Sequence, residues 1–99
     1  MVFSKNPIDL TKGKLSKEEI AEALRLAIMA ELDAVNLYLQ IARQIEDEGL
    51  RRLFEDVARE EKTHIGEFLE ALKRLDVEQA EELLSGAEEA REILEGGHE

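Results

Sequence analysis

The sequence predicts an all-α protein made of two long antiparallel helices followed by a shorter C-terminal helix. Apolar residues recur at steps of three and four along two stretches, which is the spacing of amphipathic helices. A capping pattern precedes the first stretch, and a glycine follows it. The 99 residues include one Pro and no Trp, so the composition offers little to anchor a sheet. A chain of this length is expected to form a single domain over residues 1–99.

The first helix is predicted over residues 16–47. Ser16 followed three positions later by Glu19 is the capping-box pattern, in which the hydroxyl and the carboxylate each bind a backbone amide. Residues 1–15 precede this pattern, and their mixed polarity predicts an extended lead-in. Gly49 is expected to adopt the left-handed conformation that ends many helices, so the helix should stop just before it.

The second helix is predicted over residues 50–75 and the third over residues 77–94. Asp76 followed by Gln79 is an N-capping pattern between them, and Gly96 marks the end of the third helix. The link between the first two helices is short. Because a short link makes consecutive helices antiparallel neighbours, their apolar stripes should face each other.

Ionisable residues interrupt both apolar stripes. Glu31 lies at the centre of the first stripe, and Glu61 with His64 forms an E-x-x-H in the second. Glu31 and His64 are each about 16 or 17 residues from the link, so they should lie at a similar height. The first stripe comprises Leu24, Ile28, Glu31, Val35, Tyr38, Ala42 and Ile45. The second comprises Leu50, Leu53, Phe54, Val57, Glu61, His64, Phe68, Leu72 and Leu75.

Two carboxylates on a packing face need a compensating positive charge, because desolvating an isolated ion costs several kcal/mol. Arg59 and Lys62 project to other faces, and neither stripe carries a cation at this height. One Glu and one E-x-x-H are half of the carboxylate di-metal centre found in some four-helix bundles. A twofold pairing of chains would complete the set, and two divalent ions would balance about four carboxylates.

Each candidate ligand also has a structural interpretation. An acid three positions before a His is common by chance in a chain with 24 acidic residues. His64 could be a hydrogen-bonded core histidine, and Glu31 could reach the rim of the hairpin. Tyr38 could pack in the core or act near a metal. The three ligand types at one height favour a metal site, whereas Asp9 and His98 are interpreted as solvated charge.

The formal net charge of −11 disfavours binding to nucleic acids and anionic membranes, since both would be repelled. No apolar run approaches the roughly 20 residues of a membrane span, and no signal peptide is recognisable at the start. The chain has no Cys, which excludes disulfides and thiolate metal sites. We therefore expect a soluble, cytoplasmic protein whose natural partners are cations.

Two segments resemble the encapsulated ferritins, in which a ferritin-like domain is the cargo of, or is fused to, an encapsulin shell protein. These segments are A-E-L-D-A-V-N-L-Y from Ala30 and D-V-A-R-E-E-K-T-H-I-G-E-F from Asp56. The resemblance implies a protomer that dimerises into a ferritin-like four-helix centre, with dimers assembled into a decameric ring. It also implies storage of iron inside an encapsulin nanocompartment.

The resemblance further implies ferroxidase activity, the oxidation of Fe(II) to Fe(III) by O₂ at a di-iron site shared between two chains. The family ligands fall on Glu31, Glu61 and His64, and a nearby family tyrosine falls on Tyr38. Two other functions remain open. One is a non-enzymatic helical dimerisation or cargo module. The other is a rubrerythrin-like peroxide reductase, although the chain contains no Cys for a rubredoxin-type electron donor.

The sequence departs from some relatives in two places. They carry an acid immediately before the ligand Glu and another two positions after it, thought to guide iron inward. Ala30 and Asp33 occupy these positions here, so this guiding path is half matched. Free-standing relatives also end in an apolar targeting peptide, whereas this chain ends at Glu99 without one. We expect either a shell domain in the natural polypeptide or another means of targeting.

Overall fold

The computed structural model describes residues 13–96, which contain three α-helices and no strand. Helix α1 spans Lys17–Arg43, α2 spans Glu48–Leu75 and α3 spans Val77–Glu95. This architecture confirms the predicted all-α fold with two long helices and a shorter third. The expectations for most of the lead-in, for Asp9 and for His98 lie outside the described residues. None of the three helices combines the length and apolarity needed to cross a membrane.

Helix α1 begins with the predicted capping box. The Ser16 hydroxyl accepts a hydrogen bond from the Glu19 amide at 3.2 Å, and the Ser16 amide donates to Glu19 Oε1 at 2.9 Å. These bonds satisfy two amides that a helix start leaves without partners. The first helix therefore begins at the predicted turn.

The predicted end of the first helix at residue 47 is wrong. Helix α1 ends at Arg43, about one turn earlier, because Asp47 belongs to the next helix. The Asp47 carboxylate accepts a hydrogen bond from the Leu50 amide at 2.9 Å and caps α2. Gly49 consequently lies inside the first turn of α2 and does not have the positive φ that was expected of it. The second helix thus begins at Glu48, before the predicted start.

Helices α1 and α2 pack side by side around a thin core. The buried apolar residues are few and mostly small: Ala21, Val35, Ala42, Ala58 and Leu72. Towards the link end of the hairpin, the rings of Tyr38 and Phe54 contact each other with centroids 6.0 Å apart. Small side chains let the two helices approach closely, but they bury little apolar area. The hairpin therefore obtains limited stabilisation from its own core.

Part of the predicted second stripe is uncovered. Leu50 and Leu53 are 52% and 55% exposed, although the pattern placed them against the first helix. Leu50 is uncovered because α1 stops at Arg43 and Ile45 lies in the link. Leu53 is uncovered because it lies five residues before the buried Ala58, about 140° around α2 from it. The apolar surface at the link end of the hairpin is consequently open.

Hydrogen bonds hold the start of helix α3 against the hairpin. Asp76 caps it by accepting a hydrogen bond from the Gln79 amide at 2.9 Å, as predicted. The Arg25 guanidinium of α1 donates to Asp76 Oδ2 at 2.5 Å and to Gln79 Oε1 at 3.2 Å. Beyond this start, residues 81–95 are all exposed. The radius of gyration is 17.3 Å, whereas about 13 Å is expected for a compact chain of 100 residues, so much surface lacks a partner.

Candidate metal centre

The three candidate ligands meet at the middle of the hairpin. His64 Nδ1 lies 3.3 Å from Glu31 Oε2 and 3.7 Å from Glu61 Oε2. One ligand atom from each of the three side chains lies within 4.8 Å of the other two. Helical geometry explains the arrangement, because residues three apart on α2 point the same way and the antiparallel link brings α1 to the same height. The structure therefore brings together the three residues that the sequence singled out.

The three side chains differ in exposure. Glu31 and Glu61 are 20% and 18% exposed, whereas His64 is 46% exposed. The carboxylates thus sit between the helices, and the imidazole lies at the open side of the pair. Within residues 13–96, no Lys or Arg forms an ion pair with either carboxylate. Two shielded negative charges are left with a histidine as their partner, which is the electrostatic situation that a cation relieves.

The donor set suits a divalent metal ion. Two carboxylate oxygens and one imidazole nitrogen are ligands that Fe²⁺, Mn²⁺ and Zn²⁺ accept. Atoms bound to one ion at about 2.1 Å lie up to about 4.2 Å apart, so small side-chain rotations would bring the observed cluster to binding distances. Three ligands do not complete a four- to six-coordinate shell. The residues of one chain can hold a metal, but they leave coordination positions open.

Tyr38 lies on the same stripe as Glu31 but not in the ligand cluster. It is seven positions further along α1, about 10 Å at 1.5 Å per residue, and its ring packs against Phe54. The observed ring contact agrees with the core-packing interpretation. A chemical role for the Tyr38 hydroxyl stays a prediction.

The hairpin surface around His64 is apolar and uncovered, and we call it the front face. The residues of this face recur at helical steps on both helices and are Ala27, Ala30, Ala34, Leu37, Ile41, Leu50, Leu53, Val57 and His64. Leu37 is 44% exposed and Leu53 is 55% exposed. An open apolar surface therefore surrounds the incomplete ligand set.

Two antiparallel helices, with a Glu on one and an E-x-x-H on the other, define half of a ferritin-like four-helix centre. The sequence profile of the rubrerythrin family matches residues 22–96. The crystal structure of the encapsulated ferritin domain from Pyrococcus furiosus has the same fold, with a TM-score of 0.82 and 53% identity. The match covers 92% of this chain and 94% of that one.

Two similar proteins indicate which family of ferritin-like proteins the chain belongs to. The chain is 54% identical to the ferritin-like-encapsulin shell fusion protein of Pyrococcus furiosus, over 93% of its own length and 27% of that protein. It is 38% identical to the encapsulin nanocompartment cargo protein EncC of Myxococcus xanthus, over 92% of its own length and 71% of that protein. The chain belongs to the encapsulated ferritin family, which confirms the resemblance carried by the two segments around the candidate ligands.

Proposed function

We propose that the protein is a ferroxidase that oxidises Fe²⁺ to Fe³⁺ with O₂ at a di-iron site shared between two chains. The observation that supports this most directly is the meeting of Glu31, Glu61 and His64 on an apolar face, with no Lys or Arg partner among the described residues. Ferrous iron is the substrate, and dioxygen takes one electron from each of two ions. Hard anionic oxygen ligands favour the ferric product because its charge is greater.

A second copy completes the site. Pairing two front faces about a twofold axis gives two Glu residues and two E-x-x-H motifs, the full set of a di-iron carboxylate bundle. The pair brings about four carboxylates, which balance two divalent ions. Glu31 and Glu61 hold the ions through oxygen, and His64 of each chain supplies a neutral nitrogen. The pairing would also cover Leu37 and Leu53, which are exposed in one chain.

The relatives suggest where the activity takes place. One is a fusion with an encapsulin shell, and the other is an encapsulin nanocompartment cargo protein. This domain would act in the cytoplasm inside such a compartment, as homodimers joined into a decameric ring. The chain extends 53 × 45 × 21 Å and is only about two helices thick, so one chain cannot enclose ferric mineral. The surrounding shell would store the product.

Oxygen consumption after anaerobic loading with Fe²⁺ tests the proposal. His64→Ala and Glu61→Ala should oxidise iron at least about 10- to 100-fold more slowly than the unaltered protein, because each removes a ligand from both halves of the site. Glu55→Ala is the matched control, since Glu55 is an exposed acid nine positions before His64 and lies on the opposite side of α2. Equal rates in all four proteins would end the ferroxidase proposal and favour a non-enzymatic dimerisation or cargo module.

The rubrerythrin profile match supports a second candidate, a peroxide reductase with similar ligands. The same proteins distinguish the two functions when hydrogen peroxide replaces oxygen. Oxidation by peroxide that outpaces oxidation by oxygen, and that depends on His64, would replace the ferroxidase assignment. Oxygen as the faster oxidant supports it.

We propose that the Tyr38 hydroxyl acts next to the centre, either by hydrogen-bonding a ligand or by quenching a stray radical. Tyr38→Phe keeps the ring that contacts Phe54 and removes only the hydroxyl. We expect the iron bound per chain to stay the same and the oxidation rate to fall several-fold. An unchanged rate in the oxygen-consumption assay would assign Tyr38 to packing alone.

A further inference from the structure

A single residue joins α2 to α3. Helix α2 ends at Leu75 and α3 begins at Val77, so Asp76 alone lies between them, with an extended backbone at φ −125° and ψ 92°. The Asp76 amide donates to the Leu72 carbonyl at 2.8 Å, and the Asp76 carbonyl accepts from the Ala80 amide at 3.1 Å. The angle between the two helices therefore depends on the two backbone dihedrals of one residue.

Helix α3 is long relative to this joint. Its 19 residues extend about 28 Å at 1.5 Å per residue, and a rotation of about 10° at the joint would move the far end by about 5 Å. Residues 81–95 are all exposed, so packing against the hairpin does not hold this part of the helix. Within the part of the chain that the structure describes, no Cα atom of α3 lies within 8 Å of a Cα atom of α1. The direction of α3 therefore needs a restraint close to the joint.

Arg25 of α1 supplies such a restraint across the gap. Its guanidinium donates to Asp76 Oδ2 at 2.5 Å and to Gln79 Oε1 at 3.2 Å. One acceptor belongs to the cap of α3 and the other to its first turn. Because the donors of a guanidinium have a fixed planar geometry, bonds to two acceptors define the direction of a helix better than one bond does.

The two oxygens of the Asp76 carboxylate have different partners. Oδ1 accepts from the Gln79 amide at 2.9 Å and caps α3, whereas Oδ2 binds Arg25. Arg25, Asp76 and Gln79 thus form a closed ring of hydrogen bonds, which we call the corner ring. Since one carboxylate both caps α3 and binds α1, the start of α3 is tied to the position of the Arg25 side chain.

We propose that Arg25 is a latch that fixes the direction of α3, and that α3 turns about Asp76 when this latch opens. The side chains of Arg25 and Asp76 are 42% and 28% exposed, so dissolved ions reach the pair. Salt weakens such a pair, because the Debye length falls from about 10 Å at 0.1 M to about 3 Å at 1 M. High salt is therefore expected to release α3 while the hairpin stays folded.

The latch determines where the apolar side chains of α3 are presented. Leu84 and Leu94 lie on the exposed part of this helix. While the latch is closed, they keep one position relative to the hairpin, and when it is open they spread over many positions. This inference is independent of the proposed function, because the corner ring contains none of the candidate metal ligands.

The distance between two spin labels tests the proposal. The chain has no Cys, so labels attached to introduced cysteines are unambiguous. Glu55→Cys on α2 and Glu88→Cys on α3 replace exposed side chains outside the corner ring. Double electron–electron resonance on metal-free protein, with labelled chains diluted in an excess of unlabelled chains, measures the distance within one chain. With the corner ring intact we expect one narrow peak, which high salt broadens.

Two variants open the latch in different ways. Arg25→Gln should lose the narrow peak at low salt, and high salt should change its distribution no further. Asp76→Asn should also lose the narrow peak, although Asn caps a helix about as well as Asp, because the charge that binds Arg25 is gone. Arg74→Gln is the matched control, since Arg74 binds Glu70 within α2 at 3.0 Å. Helicity by circular dichroism should be equal in all of these proteins.

A narrow peak that survives in Arg25→Gln or in Asp76→Asn would overturn the proposal, because the joint alone would then fix α3. Equal broadening by salt with and without Arg25 would contradict it as well, since salt would then act elsewhere. Failure of the proposed function has a different signature. His64→Ala should keep the narrow peak whether or not it oxidises iron, so the two conclusions can be rejected independently.

Discussion

His64 is the most exposed of the three candidate ligands, at 46%, while Glu31 and Glu61 are shielded between the helices. Because exposure increases from the two carboxylates to His64, the ligand cluster is open on the side of the front face. Without metal, pairing of the front faces would bring about four carboxylates together, and their repulsion would oppose association. The individual acids therefore favour pairing only when a cation accompanies them.

Glu31→Gln tests this electrostatic balance because it removes a charge with little change in size. The variant should bind less iron per chain, yet in the presence of a chelator its average mass should exceed that of the unaltered protein. Light scattering over a range of concentrations measures the effect, and we expect the metal-free pair to be several-fold tighter.

Glu22→Gln is the control for this experiment, since Glu22 is an exposed acid on α1 away from the front face. Weaker association of the metal-free Glu31→Gln protein would contradict the repulsion argument. So would an equal gain from Glu22→Gln, because a general reduction in charge would then explain the result.

At the scale of single residues, the sequence predicted the candidate cluster because two regular helices and a short link determine which residues share a height. It could not predict the contact of Arg25 with Asp76, which are 51 positions apart. That contact depends on the angle at which α3 leaves the hairpin, and no periodicity encodes this angle. The exposure of each ligand likewise depends on packing around the cluster.

At the scale of the helices, the link was the least predictable part. Gly49 was interpreted as the signal that ends α1, but Asp47 caps α2 and Gly49 lies within that helix. A glycine between two helices fits either the end of the first or the start of the second in a sequence pattern. The actual choice follows from the hydrogen bond between the Asp47 carboxylate and the Leu50 amide.

Asp47→Ala measures the contribution of this cap. Loss of an N-cap hydrogen bond costs about 1 kcal/mol, and for a domain of this size the melting temperature should fall by roughly 4 to 8 °C. Thermal unfolding followed by circular dichroism detects this change. Glu46→Ala is the control, since Glu46 precedes the cap in the exposed link. Equal melting temperatures for the two variants would show that the cap contributes nothing measurable.

At the scale of the whole molecule, the chain is extended and leaves apolar side chains uncovered. Its radius of gyration is 17.3 Å and its buried residues are mostly small, so one chain buries little apolar area by itself. The front face carries His64 and lies beside the carboxylates of Glu31 and Glu61.

The central claim is that iron binds at the seam between two copies of the chain. Native mass spectrometry of protein loaded anaerobically with Fe²⁺, before and after addition of a chelator, tests it most directly. We predict iron only in species that contain paired chains, at about one ion per chain, with a lower average mass after chelation that Fe²⁺ restores. Iron bound to single chains, or a mass that chelation leaves unchanged, would contradict the account.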